Sequence, residues 1–371
     1  MSARSVAAVG PARVQGIDVA RGLASAIMIQ GHAYDGWVRD ADKTSGSYLF
    51  TRVLGTLPLP SFLLLAGAAI ALRIEAADAN GESPALVRSG LVRRGLTVFA
   101  IGYVVNAVSA LMDGFAGPET FFRVDVLHAI GLSIVLIGAL GVGGRERIDR
   151  RRLVIASVLV ALVPILICPP LSTALWDTPA PWSYAVGAIT YVPPVTRMPL
   201  VPLAAWAGFG VCVSLALVRA NRAARSIAGA PTRVLVSVLT LALAVATCGA
   251  WLEGWLSERL GVPLDQRSWV VIVNALQLAA RGIVVLTVGA IATPYLPRVV
   301  REGLGKLGRG SLVAYVIHVP FCYGLLARPI AGRLDMVEAT LFVVLLEALG
   351  FGAVVLRDAI AGRLAHRRSA A

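Results

Sequence analysis

Residues 152–169 read RLVIASVLVALVPILICP, and no charged side chain occurs between Leu153 and Pro169. An α-helix rises about 1.5 Å per residue, so such a stretch is near the length that crosses about 30 Å of hydrocarbon. The sequence therefore predicts an all-α fold, a polytopic membrane bundle of about ten transmembrane helices in one domain over residues 1–371. The predicted spans lie at roughly 17–37, 52–73, 91–112, 124–143, 152–169, 200–218, 233–253, 269–292, 310–327 and 336–356.

The overall composition agrees with a membrane protein. Hydrophobic residues make up 57% of the chain and charged residues 15%, against roughly 45–50% and 25% in soluble proteins. This excludes a soluble enzyme, a disordered chain and a disulfide-stapled secreted module. The apolar stretches are continuous rather than alternating, which disfavours a transmembrane β-barrel. The four cysteines are scattered without a metal-ligand pattern, so we expect no bound metal.

The positive charge indicates how the chain crosses the bilayer. The net charge is +13, and most Lys and Arg residues fall in alternate connections between the predicted spans. Cationic loops stay in the cytoplasm, so we expect both termini to be cytoplasmic. We also expect these charges to lie at the lipid bilayer and not to bind nucleic acid. Usage rich in Ala, Arg and Val suggests a GC-rich bacterium and hence its inner membrane. The sequence leaves a homodimer open.

The first predicted span carries an unusual polar stripe formed by Asp18, Arg21, Ser25 and His32. Spacings of 3, 4 and 7 residues place these side chains on one helix face. Ionisable groups in hydrocarbon are costly and mark functional sites by default. A structural ion pair between Asp18 and Arg21, or a hydrogen-bonded core histidine at position 32, would explain the same residues without chemistry.

Other predicted spans contribute further polar residues, and together they favour a shared polar cavity or tunnel inside the bundle. Near the outer boundary we expect either anchoring or a substrate surface, and deeper in the membrane we expect a tunnel lining. The outer candidates are Tyr34, Asp35, Trp37, Arg123, Asp125 and His128, and the deeper ones are Asn274, Gln277, Arg281, Ser311, Tyr315 and His318. A carboxylate such as Asp125 beside an imidazole such as His128 fixes the tautomer of the ring.

Arg93 and Arg94 begin the third predicted span on the cytoplasmic side. Paired arginines there are typical of positive-inside anchoring, and they also suit phosphate recognition, because guanidinium groups bind phosphate in a bidentate manner. The chain contains no P-loop, HExxH or G-x-S-x-G motif, so a pump driven by ATP hydrolysis is not indicated.

Several segments resemble the transmembrane acyltransferases, namely the acyltransferase-3 family and the heparan-α-glucosaminide N-acetyltransferase-like family. Asp18, Arg21 and Gly22 resemble the D-x-x-R-G arrangement of both, and Arg21 with His32 resembles the R-x10-H pattern of the first. The other matching segments are Pro60–Leu72, Phe122–Gly131 and Gly308–Pro320.

The resemblance implies an acyltransferase that takes an acyl group, in this family usually acetyl, from cytoplasmic acyl-CoA and passes it to a sugar or cell-envelope acceptor. It implies that His32 is the essential histidine, that Arg21 and Asp18 support it, and that Arg93 and Arg94 meet the phosphates of acyl-CoA. Arg281, Gln277 and Asn274 are further donor-binding candidates. The heparan-α-glucosaminide N-acetyltransferase-like family often has asparagine at the position that resembles His32 and a histidine in the first outer loop. This chain departs from that pattern, because its first outer loop holds no histidine, so His128 is the alternative base.

Two questions stay open at this stage. His32 can act as a general base on the acceptor or can itself carry the acyl group in a ping-pong scheme. The intramembrane residues Arg281, Glu347 and His318 also suit a secondary transporter for a small polar or anionic solute, which is the alternative function.

Overall fold

The computed structural model describes residues 15–112, 117–144, 146–220, 232–262 and 265–370. Within these ranges the chain is almost entirely helical, and its only β-pairing consists of two isolated bridges. The helices are α1 (Gln15–Trp37), α2 (Gly46–Gly55), α3 (Pro58–Ala79), α4 (Pro84–Met112), α5 (Pro118–Phe122), α6 (Val126–Gly141), α7 (Arg150–Leu175), α8 (Trp182–Val186), α9 (Leu200–Ala220), α10 (Thr232–Leu260), α11 (Val270–Ala292), α12 (Arg298–Arg309), α13 (Ser311–Cys322) and α14 (Met336–Ala370).

The helices confirm the predicted all-α membrane fold. In the described part of the chain, seven helical segments are long and apolar enough to cross a membrane, counting α2 and α3 as one. The α1 helix has a suitable length of 23 residues, but its polar stripe lowers its hydropathy. The α6 and α13 helices are apolar and shorter, at 16 and 12 residues. The chain is thus an integral, multi-pass membrane protein, and crossing by all ten predicted spans stays a prediction.

Two predicted spans differ from the helices in a way that shapes the site. The span predicted at 52–73 contains a break, because α2 ends at Gly55 and α3 starts at Pro58. Proline is favoured in the first turn of a helix, where its missing N–H costs nothing. The span predicted at 310–327 forms a helix only to Cys322, and a 3₁₀ turn at Leu325–Ala327 follows.

Small residues allow the helices of the bundle to approach closely. A side chain at Gly67 would collide with the backbone of α9, and one at Gly210 would collide with the backbone of α3. Such contacts between small residues replace the hydrophobic driving force that lipid cannot supply. The α10 helix is the exception, since it packs almost only on α11 and leaves most of its surface exposed.

The α1 helix lies at the centre of the half of the bundle that carries the polar stripe. It contacts α2, α3, α11, α12, α13 and α14. We call the two ends of the bundle the Gln15 end and the Trp37 end, after the first and last residues of α1. The stripe therefore extends from the Gln15 end, at Asp18, towards the Trp37 end, at His32.

Candidate active site

The centre of the candidate site is a contact between two histidines on different helices. Nδ1 of His32, on α1, lies 2.8 Å from Nε2 of His318, on α13. The two rings are stacked, with centroids 5.1 Å apart and planes 24° apart. His318 is completely buried, whereas His32 is half-buried. Position 32 therefore faces the protein interior and keeps one side accessible.

The close approach of α1 to the end of α13 brings the two rings together. A side chain at Gly36 would collide with the carbonyl oxygen of Cys322, so only glycine fits between these backbones. One residue further along, Nε1 of Trp37 donates a hydrogen bond of 2.8 Å to the carbonyl of Phe321. Both contacts hold the last turn of α1 against α13, just beyond the histidine pair.

A rim of polar side chains surrounds His32 towards the Trp37 end. The ring of Tyr323 lies 5.4 Å from that of His32, and its hydroxyl donates to Oδ2 of Asp35 at 3.2 Å. The other oxygen of Asp35 accepts from Arg52 at 2.9 Å. Tyr323 is 51% exposed, so the rim is open at this end of the bundle.

A second carboxylate approaches the pair from α6. Tyr315 lies one helical turn before His318, and its hydroxyl donates to Oδ2 of Asp125 at 3.2 Å. Oδ1 of Asp125 accepts from the backbone N–H of Val126 at 2.7 Å, which caps the start of α6. Charges on Asp125, Asp35 and Arg52 act electrostatically on His32. Residues of α1, α2, α6 and α13 thus meet around one imidazole.

Asn106 on α4 holds the end of α5 and the link that leads to Asp125. It is 1% exposed, and its amide donates to the carbonyls of Phe121 and Arg123, at 2.9 and 2.6 Å. The first carbonyl belongs to the last turn of α5 and the second to the link between α5 and α6, so neither has a partner within a helix. The side chain of Arg123 is half-buried and lies beside this junction.

His128 is not placed as the sequence suggested. Its Nδ1 accepts a hydrogen bond of 3.1 Å from the backbone N–H of Asp125, because a residue at the third position of a helix can fold back onto the N-cap. The carboxylate of Asp125 bonds to Tyr315 instead. The ring is completely buried, and it packs against Phe99 and Tyr103. His128 thus packs in the α4–α6 contact, where its Nε2 is buried without a hydrogen-bond partner among the described residues.

Tyr34 and Trp37 correct a second expectation, since they offer no surface to a substrate. They are only 6% and 2% exposed and belong to the hydrophobic core that α1 shares with α13 and α14. The hydroxyl of Tyr34 forms a hydrogen bond of 2.7 Å with Thr340. In the cluster predicted at the end of α1, only Asp35 reaches the rim.

The Gln15 end of α1 carries the remaining part of the predicted stripe. Ser25 donates to the carbonyl of Arg21 at 2.8 Å, and the guanidinium of Arg21 donates to the carbonyl of Leu65 on α3 at 3.4 Å. Asp18 forms an ion pair of 3.5 Å with Arg309 on α12. The stripe therefore ties α1 to α3 and α12, while about 16 Å of helix separates Arg21 from His32.

Arg93 and Arg94 lie on α4 with exposed side chains. Arg94 is close enough to Arg21 for its charge to act on that guanidinium. The exposed side chains of Arg93 and Arg94 place two adjacent positive charges on α4, which suits an anionic ligand. Ser311 lies at the first residue of α13, about 10 Å along that helix from His318.

Three predicted donor-binding residues lie on α11 and bond to α10 and to the break between α2 and α3. Asn274 and Gln277 donate to the two oxygens of Glu253, at 2.8 and 2.6 Å. Arg281 donates to Thr56 at 2.6 Å, in the break between α2 and α3. The amide nitrogens of Asn274 and Gln277 thus donate to Glu253 and attach α10 to the bundle, whereas Oε1 of Gln277 is buried without a hydrogen-bond partner among the described residues.

Comparison with known proteins identifies the family of this chain. Residues 13–244 match the family model described as heparan-alpha-glucosaminide N-acetyltransferase, catalytic. The chain belongs to this family. No curated relative matches the chain. Membership in the heparan-alpha-glucosaminide N-acetyltransferase family makes the protein an acetyltransferase-type membrane enzyme.

The part matched by this family model ends inside α10, so it includes His32 and excludes His318. Sequence reasoning did not select Arg52, Asn106, Glu253 or Tyr323 for the site. Asn106 and Glu253 are polar residues within or at the end of predicted spans, and that position was the signal that could have identified them.

Proposed function

We propose that this protein transfers an acetyl group from cytoplasmic acetyl-CoA to a hydroxyl or amine of a sugar or cell-envelope acceptor, with His32 as the general base. The observation that carries the proposal is the His32–His318 contact, an imidazole pair inside the helix bundle of a protein of an acetyltransferase family. His32 is the partly accessible member of this pair, and a general base must reach the proton that it removes.

The acceptor enters from the Trp37 end under this proposal. Asp35 and Asp125, with Tyr315, Tyr323 and Arg52, supply hydrogen-bond donors and acceptors around His32. Such groups suit a polyhydroxylated or amino acceptor, because each hydroxyl or amine needs a partner once it leaves water. Tyr323 contributes a half-exposed aromatic ring that can pack against the apolar face of a sugar.

The donor enters from the Gln15 end, where Arg93 and Arg94 are exposed. These arginines, with Arg21 nearby, would hold the phosphates of acetyl-CoA. The distance of about 16 Å from Arg21 to His32 is similar to the length of an extended pantetheine arm. Phosphates held at the Gln15 end can therefore place a thioester beside His32.

The proposed reaction is a direct transfer. His32 removes the proton from the acceptor hydroxyl or amine as its oxygen or nitrogen bonds to the thioester carbonyl carbon. The carbon–sulfur bond then breaks, and the leaving thiolate takes the proton from the imidazolium, so that free CoA and the acetylated acceptor are the products. His32 ends in its starting state, and no acyl group is carried by the protein.

The decisive experiment compares His32→Ala with His366→Ala, a histidine near the C-terminal end of α14, in proteoliposomes supplied with labelled acetyl-CoA. We expect His32→Ala to lose acetyl transfer and slow acetyl-CoA hydrolysis while it still purifies as a folded protein, and we expect His366→Ala to keep both activities. Full activity of His32→Ala would refute the role of His32. Uptake of unmodified solute without acetyl transfer would favour the transporter, and an acetylated protein trapped by mass spectrometry would favour an acyl-histidine intermediate.

A further inference from the structure

We infer that His318 is a positioning residue that fixes the tautomer of His32, so that Nε2 of His32 is the nitrogen that acts as base. This inference rests on the proposed function, in which His32 is the general base. It assigns separate roles to two histidines that the sequence alone does not distinguish.

The first step concerns the inner nitrogen of His318. Nδ1 of His318 lies 3.0 Å from the backbone carbonyl oxygen of Ala314. A carbonyl oxygen is only an acceptor, so Nδ1 must carry the hydrogen and donate it. A neutral imidazole has one N–H, and Nε2 of His318 is therefore a lone-pair acceptor.

The second step transfers this constraint to His32. Nε2 of His318 faces Nδ1 of His32 at 2.8 Å, and two lone pairs at that distance would repel each other. Nδ1 of His32 therefore carries the hydrogen and donates it, which leaves the lone pair of the neutral ring on Nε2. Across the described residues, no side chain bonds to Nε2 of His32, so this nitrogen is free to accept a proton.

Burial excludes the opposite arrangement, in which a cationic His318 donates to His32. His318 is 0% exposed, and within the described ranges no carboxylate bonds to its ring. A buried charge without a bonded counter-ion is strongly unfavourable. His318 is consequently neutral in the resting protein, and its Nε2 stays a lone-pair acceptor.

The tautomer matters because a neutral imidazole with its hydrogen on the wrong nitrogen cannot accept a proton from the acceptor. In serine proteases, loss of the correct tautomer lowers kcat by about 10⁴-fold. When His32 takes up a proton at Nε2, its Nδ1–H still donates to His318. The pair thus also stabilises the imidazolium that forms during transfer.

Two variants of position 318 separate this role from packing. The amide oxygen of glutamine in His318→Gln can take the place of Nε2, whereas the shorter side chain in His318→Asn can bond Ala314 but ends short of His32. We expect kcat to fall about 10²-fold in His318→Asn and to stay within about tenfold of the parent in His318→Gln. The KM for acetyl-CoA should change less than about threefold in both. An unchanged kcat in His318→Asn would overturn the inference.

Nitrogen NMR of the full protein labelled at histidine tests the tautomer without any variant of His318. The chain has four histidines, so single substitutions can assign the signals. We expect a protonated Nδ1 and an unprotonated Nε2 in His32, and the reverse would overturn the inference. If His32→Ala is inactive but Nε2 of His32 is protonated in the parent protein, His32 remains the proposed base and the positioning role of His318 fails. If His32→Ala is active, the proposed function fails whatever tautomer is found.

Discussion

The substitution Gly36→Ala tests whether the site depends on the close approach of α1 and α13. An added Cβ at this position would lie far inside contact distance of the carbonyl oxygen of Cys322, and a backbone carbonyl cannot rotate away as a side chain can. The helices must therefore separate by on the order of 1 Å. The hydrogen bond between His32 and His318 is 2.8 Å long, and a pair about 3.6 Å apart no longer forms one. A shift of about 0.8 Å is thus enough to break the pair.

We expect Gly36→Ala to lower kcat for acetyl transfer by about 10²-fold, because a 1 Å misplacement of a catalytic group costs roughly that factor. The KM for acetyl-CoA should change little, since the proposed donor-binding residues Arg93 and Arg94 lie on α4 at the Gln15 end of the bundle. Overpacking typically costs about 1–3 kcal/mol, partly offset by about 1 kcal/mol for replacing glycine in a helix, so the fold should survive.

The matched control is Gly352→Ala on α14, where nothing lies within 4 Å of the added Cβ. Steady-state kinetics in proteoliposomes and thermal unfolding in detergent should be measured on both variants. We expect the control to keep its activity. A Gly36→Ala variant with parental kcat would refute the argument that this helix approach assembles the catalytic pair.

Three further predictions concern the rest of the molecule. Arg94→Ala should raise the KM for acetyl-CoA about tenfold, as expected for one lost charge-assisted bond. The control Arg88→Ala, on the same helix, should leave this KM unchanged. Equal KM values in the two variants would show that Arg94 does not bind the donor. Glu253→Leu leaves the amide nitrogens of Asn274 and Gln277 without an acceptor and should destabilise the protein by about 2 kcal/mol. Thermal unfolding in detergent measures this loss against the control Glu258→Leu, at an exposed position of α10. A membrane-impermeant thiol reagent applied to intact cells should label Trp182→Cys and not Arg88→Cys, and the opposite result would invert the proposed topology.

The sequence was sufficient for the fold class because each apolar stretch identifies its own helix without knowledge of the others. The polar stripe of α1 was also predictable, since helical spacing alone places Asp18, Arg21, Ser25 and His32 on one face. Membership in an acyltransferase family was predicted from this helix together with the segments at Pro60–Leu72, Phe122–Gly131 and Gly308–Pro320, and is confirmed by the family match.

The arrangement of the site could not be read in this way, because it depends on how helices rotate against one another. The sequence gives no register between α1 and α13, so the contact of His32 with His318 was not predicted. For the same reason Tyr34 and Trp37 were expected to face a substrate, although they pack against neighbouring helices. At His128 the reason is local. A side chain three residues after Asp125 can bond either to the backbone N–H of Asp125 or to its carboxylate, and the sequence spacing is the same for both.

The α1 helix also sets a fixed separation between two residues of the proposed site. It carries Arg21 near one end of the proposed donor path and His32 at the other, and a helix fixes both the length and the angle between them. One inserted residue would lengthen the interval by about 1.5 Å and turn the imidazole by about 100°. The eleven-residue interval within α1 therefore fixes the relative position of the two side chains, and an insertion there would displace His32 from His318.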